Sequence, residues 1–525
     1  MPKFKDVPTL KTLALKSIGL FIVHTTPAIM SNVQYIRDSQ KLITNVQKSI
    51  DKLNETLVSY VPYYLYESMA VEVLQAVRAL IEKTKKHYYP RVSMSKYWTE
   101  MNIVVSLTEV VLNSRLRSVD FSQWPKIMRY VLYKNLEKMS GLENLNLGSC
   151  TGDCKTMELD KSILCGIRNM KNLRSVCLCF DCSDLIIQTI SENCAHIQCI
   201  DVMSSRSVTD RSIPYLLNCK NLRELQLHRT SVTTAGHSKL ICGLPKLRDI
   251  GRCDEFSDII EHISQREIHY GPFELRKVHT RDLTTESAIL LVSMFPKLEF
   301  ISLFYYDLRI ADLSAFISLN HLREVKFLSC AFYEHSLNEL LKVGGFKLTH
   351  LHLEHVEEMD MNVLVVIGKY CPKIKSLVFY NCDFRYFANE RPIGSTMCSQ
   401  PFRNLERVFW VVDGSISHLE VILTHAVNIK YIHLGSSTGI THSNLVNVLR
   451  TNPMKYLEEL RVLYSCDMSM RTVELLLASC PNLKVLSELE SWQGISMDEL
   501  KAFKKHIKEV NFDLDISPTL SFTSC

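Results

Sequence analysis

One short apolar pattern recurs down most of this chain and constrains its fold more than any other feature. Apolar residues stand at a start, three residues on and five residues on. The starts are Leu116, Leu142, Leu173, Ile197, Leu222, Leu247, Leu275, Leu298, Leu322, Leu348, Ile374, Leu405, Ile429, Leu457, Leu483 and Ile507. Copies read LENLNL, LTHLHL, IKSLVF and IKEVNF, with those at Leu247, Leu275 and Leu483 degenerate. The mean interval is about 26 residues, within the range of about 20 to 29 that marks a short strand-turn-helix repeat. Between the copies, stretches such as Asn362–Tyr370 and Arg471–Ala478 carry apolar residues at helical spacing.

A unit this small cannot bury its own apolar edge, so parallel strands about 4.8 Å apart must stack and share one core. The spacing predicts an α/β leucine-rich-repeat solenoid over 106–515, with strands on the concave face, helices on the convex face and the starts above as its sixteen strands. Residues 1–105 lack the repeat and read as an α-helical amino-terminal module, and 516–525 read as a tail. A repeat array also explains how 525 residues share a core larger than one compact domain fills.

Composition narrows the function. With 61 basic and 56 acidic residues the net charge is +5, and no block of like charge forms a phosphate-tracking stripe, so no nucleic-acid partner is expected. Ser17–Val23 is the one candidate targeting segment, and no small-residue cleavage site follows it. No apolar run is read as approaching the roughly 18 to 20 residues needed to cross a bilayer. The expectation is a cytoplasmic or nuclear protein with no membrane partner.

The eighteen cysteines follow the repeat. Cys150, Cys330 and Cys382 fall eight residues after a start, where this repeat takes Asn or Cys to bond the turn backbone. Cys182 and Cys466 fall one later, and Cys194, Cys219, Cys371 and Cys480 fall three before a start. Cys177, Cys179 and Cys182 are close enough in sequence to suggest zinc, but Cys177 and Cys179 flank the core residue Leu178 and no fourth ligand has motif spacing. They are read as buried or free thiols in a reducing compartment, with no metal and no cofactor. The first 149 residues contain no cysteine, which places a boundary near the first repeats.

Three helical patterns precede the repeats. Thr9 is a candidate cap for a helix whose Leu10, Leu13, Ala14, Ile18 and Phe21 share a face. A second runs through Ile43, Val46, Ile50, Leu53 and Leu57. A third opens at Val61-Pro62, where proline suits a first helical turn, and continues through Val73, Leu74, Val77, Leu80 and Ile81.

Here the residues resemble a family. Leu10, Ala14 and Ile18 are spaced as in the elongin C-binding box of substrate receptors for cullin-2 ubiquitin ligases, although that family usually has Cys where Ala14 stands. Val61-Pro62 with Leu65 resembles the cullin-2 box that follows, and helices leading into irregular repeats are similar to the Zyg-type and Zer-type receptors. The resemblance implies that Leu10 enters a pocket of elongin C, itself paired with elongin B, with Ala14 and Ile18 beside it. It also implies that Val61, Pro62 and Leu65 contact cullin-2. Two alternatives stay open: an F-box-like start at Val61, recruiting a Skp-type adaptor and cullin-1, or a plain cap over the first repeat on a non-ligase scaffold.

No phosphate-cradling glycine loop, Gly-x-Ser-x-Gly elbow or His-Glu-x-x-His helix occurs, so a non-catalytic binding subunit is expected. Side chains alternate along a strand, so the second, fourth and sixth residues after each start face the concave side. The aromatic and histidine content of six consecutive repeats marks Phe300, Phe304, His350, His352, Tyr380, Arg407, Phe409, Tyr431 and His433 as target-binding candidates. His350, His352 and Glu354 share ligand chemistry at alternate positions and are read as concave surface rather than a metal site; Trp410 is read as core.

Overall fold

In a computed structural model the chain is described at residues 3–33, 36, 38–86, 94–120, 122, 124–149, 157–265, 272–305, 312–333, 337–384, 401–413 and 416–518. Cys150 and the end of the predicted tail lie outside them. The chain divides into two compact units, Val7–Gly251 and Arg252–Cys525, the latter with Met1–Asp6.

The amino-terminal unit opens with α1 (Leu10–Val33), α2 (Ser39–Tyr60), α3 (Tyr66–Lys86) and α4 (Met94–Ser106). Thr9 accepts the Thr12 N–H at the start of α1, and Asp38 accepts the Gln40 N–H at the start of α2. Pro62 precedes a 3-10 turn, Tyr63–Leu65, that runs into α3. α1 buries Leu15, Gly19, Ile22, Thr26, Ile29 and Val33. Gly19 permits a close crossing with α3, because a Cβ there would stand 3.1 Å from Glu72 O and 3.3 Å from Ala76 Cβ.

The parallel ladder follows. In this unit it comprises β1 (Ser118–Asp120), β2 (Asn144–Ser149), β3 (Ser175–Cys179), β4 (Cys199–Asp201), β5 (Glu224–Gln226) and the first three residues of β6 (Asp249–Arg252). In the carboxy-terminal unit it comprises β7 (Lys277–Arg281), β8 (Phe300–Phe304), β9 (Glu324–Leu328), β10 (His350–Glu354), β11 (Ser376–Tyr380), β12 (Arg407–Val411), β13 (Tyr431–Leu434) and β14 (Glu459–Val462). β15 (Ser465–Ser469) and β17 (Trp492–Gly494) form a separate pair, while β16 (Val485–Ser487) joins β14. Each ladder strand begins two residues after its predicted start, including the three degenerate copies.

The sixteenth start, Ile507, is a correction. It lies in a helix, Met497–Val510, which buries Leu500, Phe503 and Ile507 and opens with a reciprocal Ser496–Glu499 capping box. Those three residues also repeat at helical spacing, and the cap decides for the helix. Asp515, beyond that helix, is what pairs with β16: Leu486 N–H donates to Asp515 O at 2.9 Å. Phe4 pairs antiparallel with Phe512 beside it, their rings 5.6 Å apart.

Two devices recur between repeats. The chain leaves many strands through a left-handed residue seven after the start: Phe180, Ser204, Arg229, Asp282, Ser329, His355 and Asn381. At four starts an asparagine just before the start ties neighbours together. Asn221, Asn404, Asn428 and Asn482 each donate to a carbonyl of the preceding repeat, at Ala195, Pro372, Arg403 and Lys455. Cys194, Cys219, Cys371 and Cys480, three residues before their starts, are buried carboxy-terminal caps of the intervening helices.

One buried lysine supplies a cap in trans. Lys347 Nζ donates to Ile317 O and Leu319 O, both at 2.7 Å, closing the 3-10 turn of the preceding repeat. Lys347→Met keeps an apolar stem but strands two acceptors, so stability should fall by about 1 to 3 kcal/mol. A lower urea midpoint at unchanged slope is the expected reading; an unchanged midpoint would mean other donors satisfy those carbonyls.

Candidate functional site

In the amino-terminal unit the residues of the candidate adaptor box sit on the face of α1 that packing leaves free. Leu10 is 85% exposed and Phe21 49%, with Leu13, Ala14 and Leu20 exposed and Ile18 half-buried. A cap role for Leu10 is thereby corrected, since Leu15, Ile22 and Ile29 make the inward contacts. α1 is also longer than its pattern suggested. By length and composition it is apolar enough to cross a membrane, which corrects the reading that no stretch reaches that size.

The second box divides. Pro62 is exposed and Leu65 half-buried, but Val61 is only 8% exposed, so its side chain offers no surface to a partner. Val61 instead ends α2, donating its N–H to Leu57 O, while its carbonyl accepts from Arg115 Nη1 at 3.2 Å. The exposed groups here are aromatic: Tyr60, Tyr63 and Tyr64, with the Arg117 guanidinium over the Tyr63 ring. Sequence reasoning passed over these tyrosines, although their run around Pro62 was the available signal. A cleft of about 520 Å3 lies nearby, lined among others by Glu67, Val71, Leu74 and Trp124.

In the carboxy-terminal unit the parallel register brings the concave candidates into rows. One row reads Phe300, Glu324, His350, Ser376, Arg407, Tyr431 and Glu459 across β8 to β14. Its neighbour reads Ser302, Lys326, His352, Val378, Phe409, His433 and Arg461. His355, Tyr380, Phe409 and His433 form a ribbon with successive ring centroids 6.1, 6.3 and 6.1 Å apart. Within it Phe409 is only 4% exposed, so it holds Tyr380 and His433 in place and is corrected as a direct contact. Phe300 and Phe304 belong to another group, against His279 at 4.6 Å and under the Arg281 guanidinium at 5.1 Å. His279 and Arg281 were missed because the copy at Leu275 is degenerate, and His355 because it lies in a turn.

Charge is organised along the same rows. Glu354 lies 3.3 Å from both His352 and Lys326, and His352, with Lys326 beside it, holds that carboxyl below the usual range. His350 instead meets Thr349 Oγ1 at 2.9 Å, so the two histidines do not converge on Glu354. Further along, His433 Nε2 stands 2.6 Å from Glu459 Oε1, and Arg461 pairs with the same oxygen. Trp410 is fully buried against Phe379 and Phe384.

The cysteines are packing residues in most repeats. Burial pushes the thiols of Cys194, Cys330, Cys371, Cys382 and Cys480 up to about 12, which keeps them protonated at neutral pH. Cys382 Sγ donates at 3.3 Å to Leu353 O, a carbonyl of β10 in the preceding repeat rather than of a turn. Cys182 is buried with its sulfur at Ser183 O, and does not gather with Cys177 and Cys179. None of the fourteen cysteines among the described residues is in a disulfide.

The chain has a leucine-rich-repeat fold by its own architecture: strand, left-handed turn and convex helix stacked in one parallel ladder in each unit. No family model matches it, and no curated protein matches it. Among solved structures it is similar to an internalin from Listeria monocytogenes, at 14% identity and a TM-score of 0.33, over 68% of this chain and 83% of that one. It is also similar to a leucine-rich-repeat protein from Leptospira interrogans, at 12% identity and a TM-score of 0.29, over 80% and 91%.

The His433 site carries a pH prediction. Burial lowers the imidazole pKa and outweighs the pull of Glu459, with Arg407 and Arg461 adding to the lowering. A folded value below the unfolded one means the fold binds fewer protons there. The stability His433 contributes is present above about pH 6.5 and is lost as pH falls through the folded value. Between about pH 7.5 and about pH 5.5 the native chain should lose more urea resistance than His433→Gln. Equal losses would show that the site does not titrate in that window.

Proposed function

We propose that this chain is the target-recognition subunit of a cullin-type ubiquitin ligase. The concave face of the carboxy-terminal unit holds a protein target, and α1 docks on elongin C, which is paired with elongin B and cullin-2. The chain contributes proximity, and its partners supply the transfer chemistry. One observation carries this reading: α1 has two apolar faces, and packing uses only one. Leu10, Leu13 and Phe21 remain exposed where an internal cap would bury them, and an apolar stripe of this kind marks a partner surface. The ribbon through Tyr380 and His433, flanked by Lys326, Arg407 and Tyr431, supplies aromatic and charged groups of the type that recognise proteins.

The second reading is a scaffold that uses the same concave face with no ligase attached. Burial of Val61 favours it, because one residue of the cullin-contacting trio is withdrawn. Seating Leu10 in a pocket contributes about 1.5 to 3 kcal/mol. Leu10→Ser should therefore weaken elongin B/C binding by about ten- to a hundredfold, with no change in thermal unfolding. Copurification of the full chain with elongin B/C, followed by titration of the variant, measures this. Absence of any elongin complex leaves the scaffold reading, and capture of a Skp-type adaptor replaces elongin with the F-box alternative. Undiminished binding by Leu10→Ser would remove α1 as the docking element.

A further inference from the structure

The concave face of the amino-terminal unit carries a different chemistry. β3 presents Cys177 and Cys179 on one side, and the parallel register sets Cys177 directly opposite Asp201 of β4. The two sulfurs lie 3.6 Å apart; Cys177 Sγ is 3.5 Å from Asp201 Oδ2, and Cys179 Sγ is 3.5 Å from Asp201 Oδ1. Among the described residues this is the one group of three such side chains whose ligand atoms all lie within 4.8 Å of one another.

We propose that Cys177, Cys179 and Asp201 form a site for a zinc-type divalent cation. Zinc takes thiolate sulfur at about 2.3 Å and carboxylate oxygen at about 2.0 Å in tetrahedral geometry. The corresponding tetrahedron edges are about 3.8 Å between sulfurs and about 3.5 Å from sulfur to oxygen. The sulfur pair is within a few tenths of an ångström of its edge, and each sulfur stands one sulfur-to-oxygen edge from an oxygen of Asp201, Oδ2 for Cys177 and Oδ1 for Cys179, so a turn of the carboxylate that offers one oxygen to both sulfurs closes the trio on an ion. Soft thiolates with a single carboxylate select zinc over magnesium or calcium, which require oxygen ligands.

The surroundings support the same assignment. The Met203 N–H donates to Asp201 Oδ1 at 3.1 Å, which orients the carboxylate as backbone groups orient metal ligands. Cys179 is buried while Cys177 and Asp201 are half-buried, so the trio has a fixed base and an open side toward the concave surface. That open side leaves the fourth position to water or to a donor brought by a bound partner. On binding, each thiol releases its proton to solvent as its sulfur becomes a ligand, with no change in oxidation state. Spacing within the sequence hides the site, because Asp201 belongs to the next repeat and only the ladder register brings it alongside.

The test uses the full chain, stripped of metal and kept reduced by a phosphine, titrated with cobalt(II) and then competed with zinc(II). The native protein should develop a thiolate-to-cobalt charge-transfer band that saturates at a single equivalent and is erased by zinc. Cys177→Ser should abolish the band. Asp201→Asn should weaken binding by about tenfold or more, the least expected when a metal ligand loses support. Cys466→Ser, an exposed cysteine elsewhere, should leave the titration unchanged. Circular dichroism checks that each variant folds; should Cys177→Ser unfold, Asp201→Asn decides alone. No band in the native chain, or a band of full strength in folded Cys177→Ser or Asp201→Asn, overturns the proposal.

Discussion

Everything else in this structure depends on a dependence between neighbours: the two inward residues of each strand are buried only because the next strand covers them. Leu351 and Leu353 of β10 lie beside Leu377 and Phe379 of β11, which lie beside Val408 and Trp410 of β12, and all six are essentially inaccessible to solvent. No single repeat has enough apolar surface to offset its conformational entropy, so stability is a sum of interfaces rather than a property of one core. Polar groups follow the same rule. Lys347 caps the preceding repeat, Asn482 bonds a carbonyl of the one before it, and Asn452 reaches Leu423 O and Ala426 O.

This arrangement separates structure from recognition within each strand. Inward positions are held to apolar residues by burial, whereas outward positions answer only to solvent and partners. The second unit uses that freedom for an aromatic and charged surface, the first for a thiol and carboxylate cluster. Residues such as Phe409 belong to both sets, facing outward yet buried by the rings of Tyr380 and His433. The lowered pKa of His433 has the same origin, since a side chain flanked on a crowded face loses water even where it points away from the core.

The fold was readable from the sequence because a period-two strand pattern repeated at regular intervals has few other solutions. Fifteen of the starts became ladder strands. The sixteenth failed because Leu500, Phe503 and Ile507 satisfy a helix as well, and the capping box at Ser496 settles a choice that apolar spacing leaves open. The sites were less readable. Alternation predicts the direction of Tyr380 or Arg407 but not how much neighbours cover it, so Phe409 was assigned a contact that burial denies it, and burial likewise denies the contact that the resemblance implied for Val61. Contacts across repeats, such as Cys179 with Asp201, depend on register and carry no local signature. Exposure of the Leu10 face was implied by the resemblance and not by the apolar spacing, since α1 is apolar on both sides and its close crossing with α3 at Gly19 turns the other side inward.

Stability carried by neighbouring interfaces has a direct consequence for native-state hydrogen exchange on Trp410→Ala. Removing this buried indole should open a cavity and cost about 3 to 5 kcal/mol at the β11, β12 and β13 interfaces. Amide protection should then fall first in those strands and persist toward β7 and β16, in proportion to the number of intervening repeats. A uniform loss of protection across every strand of the unit would instead show a single cooperative core in place of a ladder.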